Sequence, residues 1–188
     1  MNEHLKRFLF VVGFCIFISG CATAAPTQSS NHVRAHYVIT ATDDFIINVY
    51  QNGVLVPDSK RELVAEIFGA TVERINIEVQ KGDWLVFNVV SDRMRWGGAQ
   101  SFIAAGVLAT NKFGFVTTLS SGNWSVCDDF NSVSRFIAEK DYDHDHRPIS
   151  ADHWEAGIKC LKQYAGDEWK GEPLWGWSPN TWIKVNVK

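Results

Sequence analysis

Residues 141–146, Asp-Tyr-Asp-His-Asp-His, crowd more metal-ligating side chains together than any other stretch of the chain. Asp141, Asp143 and Asp145 stand at alternate positions, as the oxygen ligands at the start of a calcium loop do, and Asp152 falls at the twelfth position. An EF-hand needs Gly at the sixth position to make its turn. That residue is His146, and no flanking helices are evident, so an EF-hand is excluded. A generic Ca²⁺ or transition-metal site stands against the plainer alternative of a solvated acidic loop. His144 and His146, with Asp152 and His153, also offer the ligand types of a metal-dependent hydrolase. Their spacing departs from that of such enzymes, and the chain is short for that fold.

A second group is aromatic. Trp175 and Trp177 are two residues apart, which places both rings on one side of an extended chain. Trp96 is accompanied by Asp92, Arg93 and Arg95. Sugars stack their C–H faces on exposed rings while neighbouring charged groups and amides fix the hydroxyls, so Arg93, Arg95, Trp96, Trp175 and Trp177 form a candidate ligand-binding set. The alternative is that Trp175 and Trp177 close the mouth of the core. Glu62 and Glu66 lie one helical turn apart, the usual solubility pattern. There is no Gly-x-Ser-x-Gly nucleophile elbow and no phosphate-binding Gly loop. Nothing argues for an enzyme by nucleophilic catalysis.

The chain's beginning carries an address. Lys6 and Arg7 precede an apolar run, Phe8 to Ile18, that is too short to span a bilayer comfortably. Ile18-Ser19-Gly20-Cys21 resembles a bacterial lipobox, in which the Cys is acylated and becomes the new N-terminus. Ordinary signal cleavage near residues 22–25 is the alternative. Ala22 follows the Cys where Asp would signal inner-membrane retention, so the resemblance implies the outer membrane, with several acyl chains holding the protein. Residues 1–20 are then signal peptide. Residues 21–32, rich in Ser, Thr, Gln and Pro, are the lipidated Cys21 and a flexible tether. Of four cysteines, Cys127 and Cys160 remain. In an oxidising compartment an even pair points to a disulfide, worth roughly 3–4 kcal/mol. Two buried thiols are the alternative.

Residues 33–188 must position these groups. They carry most of a composition that is 46% hydrophobic, with eight Trp, twelve Phe and four Tyr in the chain, enough for one full core. The formal charge of −3 and the absence of a basic run argue against nucleic acid. Strand alternation is plain in Phe45–Tyr50, and Asn52-Gly53 supplies a two-residue hairpin turn. Ser59 with Glu62, followed by Leu63, Val64, Ile67 and Phe68 on one helical face, predicts a short helix over 59–68. Arg74–Val79 alternates with Ile75, Ile77 and Val79 inward. Trp84–Val90 is apolar on both faces, as a central strand covered on two sides would be. Strands are further predicted over 33–41, 101–108, 114–119, from 123, over 156–164 and over 181–187, with a long loop over 128–152. The result is an all-β, two-sheet antiparallel β-sandwich with one short helix.

The order of motifs resembles the galactose-binding-like jelly roll of carbohydrate-binding modules and of accessory domains on glycoside hydrolases. The resemblance is carried by Asp43-Asp44 before Tyr50 and Asn52-Gly53, and by Gly82-Asp83 before the central strand. Gly97-Gly98 before Phe102-Ile103, Asn123-Trp124, and Trp154 two residues before Ala156 continue it. Pro173, Trp175 and Trp182-Ile183 complete it. The final strand has Trp-Ile-Lys where that family often has a second aromatic, and residues 141–146 have no counterpart in it. Together with the lipobox, the resemblance implies a non-catalytic outer-membrane lipoprotein that binds glycan or another cell-envelope ligand, and the acidic stretch 141–146 offers Ca²⁺ as its one candidate cofactor. The alternative is an assembly lipoprotein docking a protein partner. A hydrolase using His144, His146 and His153 comes third.

Overall fold

The computed structural model describes residues 32–42, 45–67, 70–91, 100–109, 112–142, 147–150 and 155–188. They belong to one compact unit, Asn31–Lys188. Along the chain run β1 (Val33–Ala35), β2 (Tyr37–Thr42), β3 (Phe45–Gln51) and β4 (Val54–Leu55), then a 3₁₀ turn at Asp58–Lys60. Next come β5 (Arg61–Ile67), β6 (Ala70–Ile75), β7 (Val79–Gln80), β8 (Trp84–Val90), β9 (Phe102–Ala109) and β10 (Lys112–Val116). The last part holds β11 (Trp124–Cys127), α1 (Val133–Ala138), β12 (Ile149–Ser150), α2 (Glu155–Ala165), β13 (Leu174–Trp175) and β14 (Asn180–Asn186).

The two main sheets are antiparallel. One runs β12-β13-β9-β2-β6-β5, with β10 also on β9, and the other runs β11-β14-β8-β3-β4. The expected all-β sandwich is therefore correct. Its strand order is compatible with a jelly roll: β2 and β3, β9 and β8, and β13 and β14 form three ribbons lying side by side, each with one strand in either sheet. Asn52 (φ 54°) and Gly53 (φ 79°) make the β3–β4 turn, both in the left-handed region that this hairpin requires.

The strands that read as apolar on both faces are buried on both. Leu85, Phe87 and Val89 of β8, Phe102 of β9 and Ile183 and Val185 of β14 fill the space between the sheets. Ile103, Ala105 and Val107 of β9 face outward, where Leu161 and Ala165 of α2 and Trp169 cover them. Val86 and Trp182 face out from the other sheet and meet Phe136 of α1. Helix–sheet–sheet–helix is thus the order of layers, and a sequence pattern with no polar face follows from it.

Three expectations are corrected. The stretch 59–68 is not a helix. It becomes the 3₁₀ turn and strand β5, whose pairing with β6 slips by a residue between Leu63 and Ala65. That bulge breaks strict alternation and leaves Leu63-Val64 adjacent, which imitates a helical face. Conversely 156–164 is not a strand. Leu161 and Ala165, four apart, are buried on helix α2, with Ile158 packed beside them. Cys127 is a free buried thiol, not half of a disulfide. It points into the cluster under α1, whereas the backbone of Cys160 belongs to α2, which packs on the outer face of the opposite sheet.

At the other end from the ribbons' crossings the chain's described ends come together. Lys81 N–H bonds to His32 O (3.0 Å), Gly82 N–H to Val187 O (2.8 Å), and Val187 N–H to Asp83 O (2.9 Å).

Candidate functional site: an aromatic corner

The ribbons change sheets at one end of the sandwich. Phe45 and Asn180 both pair with Val90, while Thr42 and Leu174 both pair with Phe102. The connections 43–44, 91–101 and 176–179 therefore leave from the same end. Ser91 N–H donates to Pro179 O at 2.7 Å, tying two of them together.

The 176–179 turn is closely held. Trp175 Nε1–H donates to Ser178 O (2.9 Å), and Ser178 Oγ donates to Asn180 O (2.6 Å). Trp177 N–H donates to Asp128 Oδ2 (2.8 Å), which follows β11. Gly176 is required here, since a Cβ would lie 2.1 Å from Thr181 Oγ1 and 2.7 Å from Asp128 Oδ1. The outcome is an unequal pair of indoles. Trp175 is fully buried and is core, as the second of the two sequence alternatives has it, whereas Trp177 is 67% exposed. Phe130 is similarly exposed and stands edge-on to Trp182, with centroids 5.2 Å apart.

Polar capacity accompanies the rings. Asp128 Oδ1, Thr181 Oγ1, Ser91 Oγ and Gln100 Nε2 are buried and have no hydrogen-bond partner among the described residues. Asp128 thus spends one oxygen on the Trp177 backbone and keeps the other at the floor of the turn. Asp129 organises the next segment: its Oδ2 accepts from Ser132 Oγ (2.7 Å) and its O from Val133 N–H (3.1 Å) at the start of α1. Cys127, beside them, is pushed up in pKa by burial, with the Asp129 and Asp128 charges adding to the shift and a backbone hydrogen bond at Asp129 opposing it.

Of the other sequence candidates, Arg93, Arg95 and Trp96 lie outside the described residues, as do Cys21, Asp43, Asp44, Asp92, Asp143, His144, Asp145, His146, Asp152, His153 and Trp154. Asp141 is described and exposed. Among the described residues no three His, Cys, Asp or Glu side chains come together as a metal site. Glu62 and Glu66 are on strand β5. Sequence reasoning missed Asp128, Phe130 and Thr181. The one signal was Asp128-Asp129 beside an aromatic at the end of a strand.

No family model, curated protein or solved structure matches the chain.

Proposed function

We propose that the chain is a non-catalytic lipoprotein of the bacterial outer membrane, acylated at Cys21, whose jelly-roll domain binds carbohydrate of the cell envelope. The observation that carries the reading is Trp177, an indole held out to solvent by a turn whose every other anchor is buried or bonded. A large exposed ring costs free energy in water, and a sugar's C–H face covers it. Arg93, Arg95 and Trp96 belong to the connection between β8 and β9, whose flanking Ser91 is bonded to the same corner. Their own placement lies outside the described residues, so they enter as sequence candidates for further contacts.

The test is a glycan array probed with the soluble domain from residue 26, in calcium and then in EDTA, beside Trp177→Ala. Binding that survives EDTA and falls at least about tenfold in the variant supports the corner as a lectin-like site. Binding lost in EDTA adds Asp141, Asp143 and Asp145 as a Ca²⁺ site shaping it. Absence of binding in both conditions sinks the carbohydrate reading.

A second reading is favoured by a different surface. Ile47 of β3, Val54 and Leu55 of β4 and Leu63 of β5 are exposed on or beside the strands that end the two sheets at β4 and β5. Exposed apolar residues gathered on one side suit a protein partner. Pull-down from envelope extracts that is abolished by Leu55→Asp, with glycan binding absent, supports that reading.

A further inference from the structure

The sandwich has two open sides, and they are finished differently. On the β4–β5 side, Arg61 of one sheet donates to the carbonyls of Ile46 and Ile47 in the other and closes the gap. On the opposite side the sheets end in β11 and β12. There a cleft of about 510 Å³ is lined by Trp124 and Ser125 of β11, by the loop bearing Ser120 and Ser121, and by Arg147 and Pro148 leading into β12. A smaller lobe of about 150 Å³ shares Ser121 and Trp124 and is lined by Asn123, Asn186 and Lys188 among others.

We infer that this cleft is a second binding site, independent of the Trp177 corner, for a carboxylate-bearing sugar or a similar hydroxylated acid. Its volume falls in the range of small-molecule sites. Among the described residues, the charged groups lining the two lobes are Arg147 and Lys188, while the chain as a whole carries −3. Glu172 is absent from the described lining of either lobe; its Oε2 is taken by Leu119 N–H (2.8 Å) and Thr118 Oγ1 (3.1 Å). Arg147 is exposed and makes no ion pair among the described residues. A guanidinium presents a planar fork that fits a carboxylate at two points.

The remaining lining is suited to hydroxyls. Ser120, Ser121 and Ser125 can each donate or accept. The smaller lobe adds Asn123 Oδ1 and Asn186 Oδ1, buried acceptors with no partner among the described residues. A buried acceptor without a donor is costly, and a ligand hydroxyl removes that cost. Trp124 lines both lobes, and its Nε1–H is already bonded to Val116 O (3.0 Å).

The experiment is titration of the full chain in detergent micelles with glucuronate, glucose and inorganic phosphate, followed through the indole resonances and by calorimetry. Wild type binds glucuronate at least about tenfold more tightly than glucose, and Arg147→Ala loses that preference while Arg147→Lys keeps part of it. The titrations are repeated in a Trp177→Ala background, where the preference for glucuronate over glucose persists and Arg147→Ala still abolishes it, which separates this site from the corner. Equal binding of glucose and glucuronate, equal binding of phosphate and glucuronate, an unaffected Arg147→Ala, or no binding of glucuronate would each overturn the inference.

Discussion

Arg61 and Glu73 form a forked ion pair on neighbouring strands: Arg61 Nη2 lies 2.8 Å from Glu73 Oε2 and 3.1 Å from Oε1, and Nε lies 3.0 Å from Oε2. The same guanidinium donates to Ile46 O (2.6 Å) and Ile47 O (2.9 Å) on β3, where β4 is too short to pair. One side chain therefore satisfies a buried carboxylate and the free edge of the facing sheet. Burial nevertheless outweighs Arg61 and holds the Glu73 carboxyl above its ordinary range.

Arg61→Leu is expected to destabilise the domain by about 2–3 kcal/mol at neutral pH, because a mostly buried carboxylate and two carbonyls lose their donor. Loss of the cation raises the Glu73 pKa further. A raised acid contributes stability that is present below its unfolded pKa and is lost as pH rises through the folded one. The deficit of the variant therefore shrinks as pH falls into the carboxylate range, and urea unfolding from neutral pH downward measures it. A deficit that is constant with pH would refute the role given to Glu73.

Gly114→Ala is expected to cost about 3 kcal/mol or to prevent folding, since its Cβ would sit 1.7 Å from the Arg34 carbonyl oxygen. Gly122→Ala meets open space and pays only for its positive φ of 61°, about 1 kcal/mol. Thermal unfolding of the two variants should keep that order.

Reductant is expected to leave the melting temperature unchanged, since Cys127 carries a free thiol. Burial raises its pKa, so the reactive thiolate is scarce at neutral pH. Iodoacetamide should modify Cys127 only once the domain is unfolded, as peptide mass spectrometry would detect. A fall in melting temperature under reductant would restore the disulfide.

Lys184→Met is expected to cost about 1–3 kcal/mol and to loosen the segment after α1. The Lys184 ammonium is fully buried, bonds to Glu139 O and Tyr142 O (both 2.9 Å), and lies 4.1 Å from the centre of the Phe136 ring. Faster amide exchange over 139–142, with β8 unchanged, is the diagnostic result.

What could be read in the sequence follows from how local each signal is. Asn52-Gly53 specifies its turn through its own backbone preference, and the two-faced apolar strand β8 announced the cover that α1 provides. Leu63-Val64 deceived because a bulge is a property of the pair β5–β6 and leaves no mark on one strand alone. The helical spacing of Ile158, Leu161 and Ala165 could be recognised only with the sheet it covers in view. At the corner, the sequence treated Trp175 and Trp177 alike and did not separate the buried ring from the exposed one. The two indoles are separated by Gly176, whose packing against Thr181 and Asp128 depends on residues distant in the chain.

The hydrogen bond from Lys81 to His32 gives the domain a near and a far pole. β8 begins beside that bond at Trp84 and ends at Val90, where the 176–179 turn is attached, so a whole strand separates the N-terminal entry from Trp177. A ligand held at Trp177 would therefore sit a full strand's length from His32, where the described chain enters the domain.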